Sequence, residues 1–82
     1  MEEMDKKAAR AILAVFKTRN LTAGGFVHFD EFGKVLRWEA GYVKHENQKN
    51  ALRYLVENNY VSELNAGLEL TTKGEDALKK LR

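Results

Sequence analysis

The chain is predicted to fold as an α+β domain in which helix predominates. Three observations predict this. Apolar residues recur at helical spacing in three separate segments between residues 5 and 58. Two short runs, Tyr60–Leu64 and Leu68–Thr71, instead alternate apolar and polar residues across Asn65-Ala66-Gly67. A threonine cap signal then opens a last helical pattern. With 82 residues and a hydrophobic fraction of 44%, the chain has room for one domain, 1–82, with a thin core.

The first helix is predicted from about Asp5 to Arg19, with Asp5 as its N-cap and Glu2, Glu3 and Asp5 at the favourable end of the dipole. Ala8, Ile12, Val15 and Phe16 form its buried stripe. Asn20 is expected to take the left-handed conformation that ends it, with Leu21 folding back. Gly24-Gly25 marks a loop. Phe26–Phe29 reads as one short edge strand, and Asp30 as the cap of a second helix over about Glu31–Glu39. Phe32, Val35, Leu36 and Trp38 supply the inner face of that helix. Gly33 inside it costs about 1 kcal/mol against Ala, which suggests a close packing contact.

Ala40–Val43 is short enough for a turn between two helices. The third helix is predicted over about 46–58, with Ala51, Leu52, Leu55 and Val56 inward. Glu46, Lys49, Asn50, Arg53 and Glu57 fall on the other side. Asn58-Asn59 is the stop signal. The alternating runs form a hairpin with a three-residue loop and inward Val61, Leu64, Leu68 and Leu70. Thr72-Lys73-Gly74-Glu75 fits a capping box, and Ala77, Leu78 and Leu81 anchor the final helix.

Composition narrows the chemistry. There are no cysteines, so disulfides and thiolate metal sites are excluded. His28 and His45 bring no third or fourth ligand in a metal-binding spacing, so no metal or cofactor is expected. No phosphate loop and no nucleophile arrangement is present, and no enzymatic activity is expected. The net charge of +2 permits an anionic partner. The opening MEEMDKKAAR is charged and lacks an apolar core, and the longest apolar run, Ala11–Phe16, is too short to span a bilayer. A cytoplasmic protein without membrane contact is expected. Gly25–Phe29 partly mimics the aromatic motif of RNA-recognition domains, but residues 22–24 and the preceding helix do not fit it.

The element order, the run Ala51–Val61 and the sequence Leu70-Thr71-Thr72-Lys73-Gly74-Glu75 resemble winged helix-turn-helix domains of small prokaryotic, archaeal or viral regulators. The last is similar to an L-T-x-K-G entry into a final helix. The resemblance covers most of the chain. It implies a three-helix core, a two-stranded wing over 60–71 and a C-terminal helix. It also implies double-stranded DNA as partner and a role in transcription regulation, with the third helix in the major groove. Base-edge residues would be Asn47, Lys49, Asn50 and Arg53, and Lys44 and His45 would reach phosphates. A homodimer would double such contacts. The chain departs from the family at Gln48, usually apolar, and at a hairpin that carries Glu63 and Glu69 and no cation at its tip. Those departures suit the alternative, a winged helix that docks a protein partner. Trp38 and Tyr42 would then serve as aromatic anchors.

Overall fold

The computed structural model describes residues 3–38 and 44–80, with only the backbone of Trp38. The expected turn at Ala40–Val43, the side chains of Trp38 and Tyr42, and Leu81 lie outside the described residues. The elements are α1 (Glu3–Thr18), β1 (Phe26–His28), α2 (Phe29–Trp38), α3 (His45–Glu57), β2 (Val61–Leu64), β3 (Gly67–Leu70) and α4 (Thr72–Lys80). The fold is a mostly helical α+β arrangement. Among the described residues no helix is long and apolar enough to cross a membrane.

The helix α1 is central. It packs against α3 and α2, and more lightly against α4. Its buried stripe includes Ala8, Ile12, Val15 and Phe16, as the spacing predicts, and extends to Ala9 and Leu13. Phe16 meets Phe32 of α2 with ring centroids 5.7 Å apart. Leu36, Ala51, Leu55, Val61, Leu68, Leu70 and Leu78 close the core around them.

Asn20 and Asn59 end α1 and α3 in the same way. Each has positive φ, 55° and 60° respectively. After α1, the amides of Asn20 and Leu21 donate to the carbonyls of Lys17 and Phe16 at 3.0 Å. After α3, those of Asn59 and Tyr60 donate to Val56 and Leu55 at 3.0 and 2.9 Å. Both are Schellman closures, in which a left-handed residue lets the chain satisfy the last carbonyls and turn back onto the core.

The hairpin does not stand alone. β1 joins it, giving an antiparallel sheet of order β1-β3-β2. The two strands expected as a wing are therefore an edge strand, β2, and the central strand, β3, of a three-stranded sheet. Its loop is also tighter than predicted. Leu64 pairs with Gly67, leaving only Asn65 and Ala66 between the strands. Gly67 is required for a different reason from the one its position suggests. A Cβ there would lie 2.1 Å from the carbonyl oxygen of Val27, so the closeness of β1, not the turn, excludes a side chain. Leu64, expected inward, is 44% exposed because it sits beside the loop, beyond the core.

Helix starts differ from expectation at three places. α1 begins before Asp5, which is buried inside the helix instead of capping it. α2 begins at Phe29, directly after β1, and the Phe29 amide donates to the Ala66 carbonyl at 3.1 Å. The hairpin loop thus does the capping expected of Asp30. α4 is capped by Thr71, one residue earlier than predicted. Its Oγ1 accepts the Gly74 amide at 2.9 Å and lies within bonding reach of the Asn59 and Tyr60 carbonyls. Glu75 does not reach back to the cap. Its Oε1 accepts the Ala23 amide at 2.8 Å and ties down the loop before β1.

These contacts give the Thr71–Glu75 sequence a physical meaning. Thr71 joins the start of α4 to the end of α3. Lys73 places Nζ 5.0 Å from the Tyr60 ring centroid, in cation–π range. Gly74 lets the helix press against the chain entering β2, since a Cβ there would meet the Tyr60 oxygen at 2.0 Å. Gly33 behaves in the opposite way. It is exposed, and a Cβ would meet nothing within 4 Å, so no packing contact accounts for it.

Candidate functional site on the third helix

α3 presents its polar face because its other side is committed to the core. Ala51 and Leu55 are fully buried, while Leu52 and Val56 are half-buried along one flank. On the open side lie His45, Glu46, Lys49, Arg53 and Glu57, all exposed, with Lys44 exposed just before the helix. Lys49 and Arg53 are four residues apart and therefore neighbours on one face. Neither belongs to an ion pair among the described residues. Arg19, in the turn after α1, pairs with Glu31 of α2, and Lys79 pairs with Asp76 within α4, both away from α3.

Lys44 takes an extended conformation at the N-cap, φ −62° and ψ 149°, and no side chain among the described residues caps the helix. Among the described residues the first amides of α3 have no side-chain acceptor beside Lys44 and His45. Backbone N–H groups at a helix start, with cations next to them, favour an anion.

The two asparagines predicted to face outward do not lie with these cations. Asn47 is 8% exposed, and its Nδ2 donates to Asp5 Oδ1 of α1 at 2.7 Å. Asn50 is half-buried on the flank, and its Nδ2 is 3.5 Å from Asp5 Oδ2. The placement of Asn47 on the open face is thus corrected. Burial demands a partner for its amide, and the Asp5 carboxylate supplies one. Asp5 itself is 4% exposed. The signal was present in the spacing. Asp5 falls on the α1 stripe three residues before Ala8 and seven before Ile12. Asn47 falls on the α3 stripe four before Ala51 and eight before Leu55. A polar residue on each of two facing stripes marks a buried pair, which reading either helix singly does not reveal.

At its C-terminal end the helix carries an aromatic group. The Tyr54 and Tyr60 rings lie 6.1 Å apart and tilted, with Lys73 above Tyr60. Asn58 Nδ2 donates to the Tyr54 carbonyl at 2.8 Å, completing the end of the helix. Compared with protein-family models, curated proteins and solved structures, the chain finds no match in any of the three.

Proposed function

We propose that the chain is a winged helix-turn-helix domain that binds double-stranded DNA as a transcription regulator. In this reading α3 enters the major groove and residues 60–71 form the wing. The observation that carries it is the pair Lys49 and Arg53, exposed, outside any ion pair among the described residues, and one helical turn apart on a helix fixed to the core. Further support comes from the element order and from a hairpin that follows α3 directly and is backed by β1. Lys44 and His45 stand at the helix start, where they would meet phosphates. Arg53 and Lys49 would meet base edges. The roles that the resemblance gives to Asn47 and Asn50 are the weaker part, because both amides face Asp5.

The test is fluorescence anisotropy of labelled random-sequence duplex at several salt concentrations. Binding should weaken as salt rises, with a log–log slope of about −0.9 per phosphate contacted. Lys49→Ala combined with Arg53→Ala should abolish binding and leave the thermal transition in place. Undiminished binding in that double variant would refute the assignment of α3 as the reading helix.

One observation favours a second reading, a winged helix that docks a protein. Ser62, Glu63 and Leu64 of β2 are exposed, and the Asn65-Ala66 tip carries no cation to meet a phosphate. An amide-shift titration with mixed duplex DNA separates the two. Shifts centred on α3 support DNA binding; their absence at low salt supports the protein-docking module.

A further inference from the structure

We infer that the open face of α3 selects guanine·cytosine pairs, with Arg53 and Lys49 each set against a guanine, an inference that rests on the DNA-binding reading above. The side chains that recognise adenine by two hydrogen bonds are Asn and Gln, and the pairing needs the amide nitrogen as donor and the oxygen as acceptor. Each asparagine of α3 and its cap already donates its amide nitrogen to a partner within the fold. Asn47 is buried with its nitrogen on Asp5 at 2.7 Å. Asn50 directs its nitrogen to the other oxygen of the same carboxylate, at 3.5 Å. Asn58 donates to Tyr54 at 2.8 Å. Gln48 is half-buried and has an interaction of its own.

What remains free has the opposite preference. Arg and Lys donate to guanine O6 and N7, and neither has an acceptor for the adenine amino group. Glu46, exposed one turn before Lys49 and Asn50, offers a carboxylate, which accepts from the cytosine amino group. Lys49 and Arg53 are separated by four residues, about 6 Å along the helix axis. That is close to two base-pair steps of about 3.4 Å. The two guanines should therefore lie within about two steps of each other when α3 follows the groove.

The experiment is selection from a randomised duplex pool with the full chain, followed by sequencing, and repeated with Arg53→Ala and Lys49→Ala. The expected result is a motif with two guanines one to two steps apart. Arg53→Ala should lose the preference at one position and Lys49→Ala at the other. Replacing either guanine in the selected duplex should weaken wild-type binding about tenfold or more. A motif dominated by adenine and thymine, or binding without any enriched sequence, overturns the guanine assignment and leaves the DNA-binding reading standing. So does a guanine motif that both single variants retain in full. No recovery of duplex above the level of a bead control overturns both.

Discussion

Removing the Asn47 amide should unfold the domain more readily, and this separates an internal strut from a DNA contact. In Asn47→Ala the Asp5 carboxylate, 4% exposed, loses its 2.7 Å bond and, among the described residues, keeps the Asn50 amide at 3.5 Å. A hydrogen bond to a charged group contributes about 1.5–3 kcal/mol, and leaving one partner buried adds its desolvation penalty. A loss of about 2–3 kcal/mol follows, a substantial part of the 5–15 kcal/mol typical of a whole domain. In a chain of this size each kcal/mol moves the midpoint by about 4–8 °C, so the thermal transition should fall by roughly 10–20 °C. Urea denaturation followed by circular dichroism measures the free energy, with the m-value checking that the same surface unfolds. A double-mutant cycle with Asp5→Ala should be strongly non-additive, because the second substitution removes a group that has already lost its partner. A destabilisation below about 0.5 kcal/mol, the range of ordinary surface substitutions, would refute the buried pair.

Three other substitutions test the packing that holds α3 and α4 in place. Gly33→Ala should stabilise the domain by about 0.5–1 kcal/mol, since the position is helical and nothing lies within 4 Å of the added methyl; a lower melting temperature would contradict the open surroundings of that residue. Gly74→Ala should destabilise by at least about 2 kcal/mol, because the new Cβ would sit 2.0 Å from the Tyr60 oxygen and backbone must move; unchanged urea curves would show that the contact is not made. Thr71→Val keeps the shape and deletes the hydroxyl that caps Gly74 at 2.9 Å, and should cost about 1–2 kcal/mol, with amide exchange rising first in α4.

What could be read from the sequence was local. Asn20 and Asn59 announce two helix ends because few other residues accept positive φ, and the structure uses both in that way. The stripe of α1 and the inward Ala51 and Leu55 follow from spacing alone. What could not be read depended on a second segment arriving. Gly67 looks like a turn glycine until β1 is seen lying against it. Thr72 and Glu75 satisfy a capping pattern, yet Thr71 caps the helix, since it alone also reaches the chain leaving α3. Asn47 reads as a surface residue until Asp5 is placed opposite. The exposed cations of α3 were legible because solvent imposes no partner on them; the amides of Asn47 and Asn50 were not, because their partner is 42 and 45 residues away.

The distribution of contacts on α3 bears on how its surface can act. The first half of the helix is tied to α1 through Asp5, and its end is tied to β2 and α4 through Tyr60, Asn59 and Thr71. Lys49 and Arg53 lie on the open face of the same helix and take part in neither fastening. Their backbone is therefore fixed while their side chains are free, which lowers the ordering cost of meeting a partner to that of two side chains, about 0.5–1.5 kcal/mol each. It also separates the effects of substitution. Changes at Lys49 or Arg53 should alter binding with the melting temperature held, whereas changes at Asn47 or Thr71 should lower the melting temperature and weaken binding only in proportion to the protein unfolded. At a temperature where Asn47→Ala is still fully folded, its affinity for a selected duplex should equal that of the unaltered chain. A loss of tenfold or more there, in folded protein, would return Asn47 to the reading face and require that the Asp5 bond break when DNA binds.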